Sequence, residues 1–440
     1  MAGQIAGMTH WELGFDEGGR PDQGELGTLL AEVPGRGVTD LLVFSHGWNS
    51  DRGQARRLYE LWFGQVPGLL GRAGASAERV GSVGVVWPSK RWADEAEPTA
   101  AGGPAAGLDD AAPPAADDPA LVEDLKDTFP GERRAEILDE LARLLAERPE
   151  DAAALGRFQT LMAELAGEPD AARAEEDKGE LALVEDNPQA VFGRFADAVP
   201  DTGAGEGAAA GFGDAFGRLW KGAKEALRQL TYFEMKKRAG VVGKDGLGPV
   251  VGRLGAQDRS LRVHLLGHSF GARLVSFALA GLPDPGASPV ASLCLLQGAF
   301  SHFAFADALP TDPGRGGALK GMASRVAGPL VASFSIHDLA VGKLYPLASL
   351  SSQDDAAAAE DLLFRWGGIG HDGAQAVQAP EVDLGPVGAA YPFQPGRFLN
   401  LDANAVVNRG GPPAGAHSDI FHPELVWAGL AAAGLVGRDG

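Results

Sequence analysis

The chain has 440 residues, 45% hydrophobic and 22% charged, long enough for a large core in one domain or in two to three smaller ones. Its 59 acidic side chains outnumber 38 basic ones, and the formal net charge of −21 repels phosphate backbones and anionic membranes, which argues against nucleic acid as a partner. The single cysteine, Cys294, excludes an intrachain disulfide.

The N-terminal segment Met1–Met8 carries neither a basic region nor a long apolar one, so no signal peptide is expected. No run approaches about 18 uninterrupted apolar residues, so no membrane span is expected and a cytoplasmic location is the default.

In chain order, Leu41–Phe44 reads as a strand, followed by a helix pattern carrying Leu58, Leu61, Trp62 and Leu69. Val83–Trp87 is the next short apolar run. Leu261–Leu266 reads as a strand and leads into the helix pattern Ala272–Leu279. Val290–Leu296, Leu330–Ile336 and Arg397–Leu401 are further strands, and a last helix runs from about Pro423 to Gly434. Cys294 falls inside one of these apolar strands, where a core role is expected of it. Strands apolar almost throughout and separated by helices predict an α/β fold with a mostly parallel sheet covered on both faces.

One stretch interrupts this rhythm. Ala93–Asp118 consists of Ala, Pro, Gly and acidic residues, the composition of a linker. Beyond it, Ile137, Leu138, Leu141, Leu144 and Leu145 share one helical face, as do Leu155, Phe158, Leu161, Met162 and Leu165. The Gly/Ala-rich run Asp201–Gly213 closes the segment. Residues 93–217 are therefore expected to form an acidic, partly disordered helical insertion between core segments 1–92 and 218–440. It serves either as a lid over a site or as a solvated spacer.

Gly267-His268-Ser269-Phe270-Gly271 matches G-x-S-x-G, a pattern that 63 glycines in 440 residues make weak by itself. Its context strengthens it, because a strand pattern precedes it and a helix pattern follows. A strand-to-helix turn this sharp needs glycines where backbones pack closely. It lifts the serine hydroxyl above the sheet and turns the next N–H groups, at a helix N-terminus, toward a developing oxyanion. Upstream, Phe44-Ser45-His46-Gly47-Trp48-Asn49 ends a strand and opens a helix, with Asn49 or Ser50 available as its cap.

On these two motifs the chain resembles the α/β-hydrolase superfamily of serine hydrolases, over residues 40–92 and 225–435, and looks like bacterial hydrolases of that fold without assigned substrates. The resemblance implies Ser269 as nucleophile, with the backbone N–H groups of Trp48 and Phe270 forming an oxyanion hole. It also implies the chain order serine, acid, histidine. The acid is expected after the second strand beyond the nucleophile strand, where Ile336-His337-Asp338-Leu339-Ala340-Val341 offers Asp338; the family often shows Asp-x-x-Val here. Of the nine histidines, those before Ser269 have the wrong order, His302 precedes the acid, and His337 adjoins it and would point away. His371, His417 and His422 remain. His417, in a loop after the last expected strand, fits best.

The reaction expected is hydrolysis of a carboxylic ester or thioester of a small-molecule acyl substrate through an acyl-serine, as in esterases and lipases. No metal is expected, because no H-E-x-x-H or Cys/His cluster occurs, and no cofactor is expected. Two alternatives stand beside it: an acyltransferase using the same acyl-serine, and a non-catalytic binding protein built on this scaffold.

Overall fold

The computed structural model describes residues 2–48, 50–89, 122, 124–167, 187–198, 212–283, 288–310, 312–341, 367–411 and 414–437. Within them, nine strands form one sheet in the order β1-β2-β4-β3-β5-β6-β7-β9-β8. The strands are β1 (Gly3–Ile5), β2 (Met8–Gly14), β3 (Asp40–Ser45), β4 (Val80–Val86), β5 (Arg262–His268), β6 (Val290–Leu296), β7 (Leu330–Phe334), β8 (Glu381–Asp383) and β9 (Phe398–Asp402). β1 pairs antiparallel with β2, and every other pairing is parallel. The chain is thus an α/β protein with a mostly parallel sheet flanked by helices.

Parallel strands buried on both faces need apolar side chains on both. β3 meets that need: Leu41 and Val43 enter one core cluster, Leu42 and Phe44 the other. The first cluster packs beneath α1 (Gln23–Gly35) and a long helix described below; the second packs beneath α2 (Arg52–Phe63), α3 (Val66–Arg72) and the last helix, Pro423–Ala432. Cys294 lies in the second cluster, 3% exposed.

The order of the strands reverses at β3. From β3 the chain steps to β4 on one side, then crosses to β5 on the other and continues outward through β6 and β7. The loops leaving β3 and β5 therefore diverge at the carboxyl edge of the sheet, the place where open α/β sheets bind ligands. Both motifs singled out above end at this point of divergence.

Several elements differ from expectation. The pattern carrying Leu58 to Leu69 is two helices, α2 and α3, because Pro67 sits in the first turn of the second and cannot continue a helix from before it. Leu61 lies off the buried face at 36% exposure. Ser50 does not cap α2: Asp51 does, in a capping box with Gln54, and Asn49 lies outside the described residues. Ile336 lies beyond the end of β7 and is 56% exposed. β1, β2, α1 and β8 are absent from the expected elements; β2 pairs with β4 and extends the sheet on that side.

The expected linker Ala93–Asp118 lies outside the described residues, as does most of Asp201–Gly213. Of the insertion, α4 (Glu132–Glu147), α5 (Ala152–Ala166) and α6 (Pro188–Ala198) are described. The expected faces of α4 and α5, from Ile137 to Leu145 and from Leu155 to Leu165, are buried against each other. Their cluster is completed by Trp220, Ala223, Ala226, Leu227, Leu230 and Phe233, so the helical layer reaches past residue 217. These residues belong to α7 (Phe212–Val241), which runs on through a π-helical turn, Val242–Leu247, into α8 (Gly248–Gln257). One continuous helical rod thus contributes its first half to the helical layer and its second to the sheet's core.

Arg238 ties these layers together. Only 3% exposed, it donates from Nη1 to the Pro88 carbonyl just beyond β4 (3.0 Å) and from Nη2 to the Thr128 carbonyl of the helical layer (2.6 Å). A buried acceptor that loses its donor costs about 1–3 kcal/mol. Arg238→Ala is accordingly expected to destabilise the fold by about 2–5 kcal/mol, read as a lower urea midpoint. A midpoint equal to wild type would show that the bridge contributes nothing.

Candidate active site

β5 ends at His268 and α9 (Phe270–Ala280) begins at Phe270, leaving Ser269 alone at the turn. Its φ of 57° and ψ of −124° are values that a residue with a side chain adopts only when its surroundings enforce them. Here they do. The Ser269 N–H donates to the Leu296 carbonyl (3.1 Å), and its own carbonyl accepts from Ala272 (3.1 Å) and Ala299 (3.2 Å).

Glycines make this packing possible. A Cβ on Gly271 would fall 2.0 Å from the Ser45 carbonyl oxygen, and one on Gly47 would fall 2.7 Å from the Ser269 Cβ. The end of β3 therefore rests directly on the Ser269 turn. Trp48 and Phe270 follow these two contacting residues, and their rings lie 6.1 Å apart. Phe270 is the first residue of α9, so its N–H has no acceptor within the helix.

His46 holds the Gly47 turn through a set of bonds around a buried ring. Its Nδ1–H donates to the Gly47 carbonyl (2.8 Å), and its ring stacks on Trp87 at 5.7 Å. The Trp87 indole N–H donates to the His46 carbonyl (3.0 Å), while the His46 N–H donates to the Tyr59 hydroxyl (3.2 Å). Complete burial lowers the His46 pKa to about 4, so the ring is a neutral structural part of the turn.

The structure brings Ser269, His417 and Asp338 into one hydrogen-bonded chain. The Ser269 hydroxyl donates to His417 Nε2 (2.8 Å), and His417 Nδ1–H donates to Asp338 Oδ2 (2.8 Å). Asp338 is wholly buried, and its other oxygen accepts from the Val341 N–H (3.0 Å), which accounts for the Asp-x-x-Val spacing. A buried carboxylate needs such donors on both oxygens.

Main-chain bonds join the loops carrying Asp338 and His417. Asp338 forms an antiparallel bridge with Gly415, the Ala416 N–H donates to the His337 carbonyl (2.8 Å), and the Leu339 N–H donates to the Ala414 carbonyl (3.2 Å). Gly415 has a φ of +61°, and a Cβ there would lie 2.3 Å from the His337 carbonyl oxygen.

The other histidines do different work. His422 Nε2–H donates to Asp419 (2.7 Å), whose second oxygen accepts from the N–H groups of Asn408 (3.1 Å) and Arg409 (3.0 Å) and so braces the His417 loop. His371 lies in α10 (Ile369–Asp372), and its Nδ1 is buried without a hydrogen-bond partner. His337 is exposed. His302 donates from Nδ1 to the Asp372 carboxylate (2.7 Å). Sequence reasoning missed two contributors: Tyr232 of α7, whose ring lies 4.9 Å from Phe270, and His268, bonded to the His417 carbonyl. No spacing rule points to either, because both contacts depend on tertiary packing.

Among the described residues, no group of three or more His, Cys, Asp or Glu side chains is placed to hold a metal ion, and no helix is long and apolar enough to cross a membrane. Comparison with models of known families, with curated proteins and with solved structures finds no match.

Two experiments test this geometry. Gly47→Ala is expected to push the Ser269 turn away and lower the reactivity of Ser269 on the order of 100-fold, measured as the rate of labelling by a fluorophosphonate. An unchanged rate would show that the close approach is not required.

The second concerns acid. Burial lowers the pKa of His10 and His46 to about 4, that of His268 to about 3, and also lowers that of His264. Unfolding frees these rings to take protons near pH 6.5, so acid favours the unfolded chain. Stability is expected to fall from about pH 6.5 down to about pH 4, by about 1.4 kcal/mol per pH unit for each ring fully engaged. Urea midpoints flat across that window would contradict the burial of neutral imidazoles.

Proposed function

We propose that this chain is a serine hydrolase of the α/β-hydrolase type that cleaves a carboxylic ester or thioester through an acyl-Ser269 intermediate. The hydrogen-bonded chain Ser269–His417–Asp338, mounted on a constrained strand-to-helix turn at the carboxyl edge of the sheet, carries this reading. A scaffold that merely binds has no need to hold a serine at positive φ, a conformation costing about 1–3 kcal/mol.

A serine hydroxyl attacks a carbonyl effectively only if its proton leaves as the bond forms. His417 Nε2 is placed to take that proton. Asp338, fixed on Nδ1–H, holds the required tautomer and stabilises the imidazolium. The carbonyl oxygen becomes negative and is met by the backbone N–H groups of Trp48 and Phe270, each contributing about 2.7–4 kcal/mol. Collapse expels the alcohol or thiol, which receives its proton from His417. Water then attacks the acyl-serine by the same route, giving up its proton to His417, and the acid is released.

The helical layer bears on substrate choice. Trp48 packs against both that layer's core and the sheet's core, and Tyr232 stands 5.9 Å from it by ring centroids. We assign these two rings to the wall that limits the acyl chain.

A fluorophosphonate is expected to label the protein covalently, with labelling lost in Ser269→Ala. On a reactive p-nitrophenyl ester, Ser269→Ala and His417→Ala should each lower kcat by roughly 10⁶-fold and Asp338→Asn by roughly 10⁴-fold. Folded protein that is neither labelled nor active would overturn the reading. For the acyl wall, Trp48→Ala keeps the backbone N–H and should shift preference toward longer acyl chains across a p-nitrophenyl ester series. An unchanged profile removes Trp48 from that role.

A further inference from the structure

We infer that His268 is a positioning residue that fixes the main chain of His417 and thereby aims its imidazole; this rests on the acyl-serine reading above. His268 closes β5 and is 7% exposed. Its Nε2–H donates to the His417 carbonyl over 2.8 Å, and the two rings lie 4.9 Å apart at an interplanar angle of 40°. A carbonyl only accepts, so Nε2 carries the hydrogen. On the ring's other side, a Cβ on Gly47 would lie 3.3 Å from His268 Nδ1, so the imidazole is wedged between the Gly47 turn and the base loop. Burial, reinforced by His417 nearby, keeps it uncharged, with a pKa lowered to about 3.

The contact matters because of where the base loop is otherwise held. Its main-chain bonds to the acid side engage residues 414 to 416: the Ala414 carbonyl accepts from Leu339 and Ala340, and the Ala416 N–H donates to His337. Residue 417 lies beyond these bonds and is gripped from the opposite side by His268. Both working bonds of His417, to Ser269 and to Asp338, depend on the direction of its ring. A misplacement of about 1 Å at a reacting group can cost on the order of 100-fold in rate.

Three variants separate this role from simple filling of space. Gln can put an amide N–H near the place of Nε2; Asn has similar polarity but a shorter reach, nearer Nδ1; Phe fills the volume without a donor. The rate of fluorophosphonate labelling should drop on the order of 100-fold in His268→Phe and His268→Asn, and His268→Gln should recover most of it. The far-downfield proton resonance of His417 Nδ1–H should stay sharp in wild type and His268→Gln and broaden in the other two.

A folded His268→Phe that labels at the wild-type rate with an intact resonance overturns the inference. Should His268→Phe fail to fold, equal labelling of the Gln and Asn variants overturns it instead. Ser269→Ala serves as the control: labelling that persists there defeats the acyl-serine reading itself. Labelling lost in Ser269→Ala yet indifferent to residue 268 defeats only the positioning role.

Discussion

The contact on which the structure turns is the one between Gly47 and Ser269. Two strands adjacent in the sheet but remote in sequence send their loops in opposite directions, and at the point of divergence one backbone lies directly on the β-carbon of the other. This contact holds the serine in a conformation it would otherwise avoid. It also places the residue after Gly47 beside the start of the helix after Ser269. Without it, the turn could relax, and no arrangement of His417 would bring an acceptor to a fixed hydroxyl.

From that point outward, the site is held by main chain more than by side chains. The loops carrying Asp338 and His417 are joined by a bridge at Asp338 and Gly415, and Asn408 and Arg409 are drawn in by Asp419. Main-chain bonds suit this task because they restrain position without adding the rotamer freedom of long side chains. A buried carboxylate and a mostly buried imidazole then need only a single geometry, supplied by loops already tied to each other.

Much of this was legible in the sequence for a physical reason. β5 and β6 are buried on both faces, so they appear as unbroken apolar runs, and Gly267 and Gly271 occupy positions where a Cβ would strike backbone. Asp338 and His417 could be located because the resemblance prescribes an order along the chain. What stayed hidden has no local signature. β2 contains His10 and Glu12 among its apolar residues; His10 is buried through a bond to Ser82 that only pairing with β4 creates. Residue 217 looked like a boundary because Gly and Ala precede it, yet Trp220 to Phe233 belong to the helical layer. Composition marks where a chain is poor in core residues; it does not mark which core the following helix joins.

The long helical rod answers to both cores, and the π-helical turn lies where it changes allegiance. Gly243 and Gly246 there let it approach the Leu274 and Gly19 carbonyls more closely than any side chain would allow. Cys294 has a different consequence. It lies within β6, buried, with its thiol pushed up to about 12 by burial. It is the only sulfhydryl in the chain and packs under the helices on one face of the sheet, so a disulfide reagent meets a target when that helical cover comes away. The molecule therefore carries a built-in reporter on the opening of that face, and any cysteine introduced on the surface could be modified without competition from within.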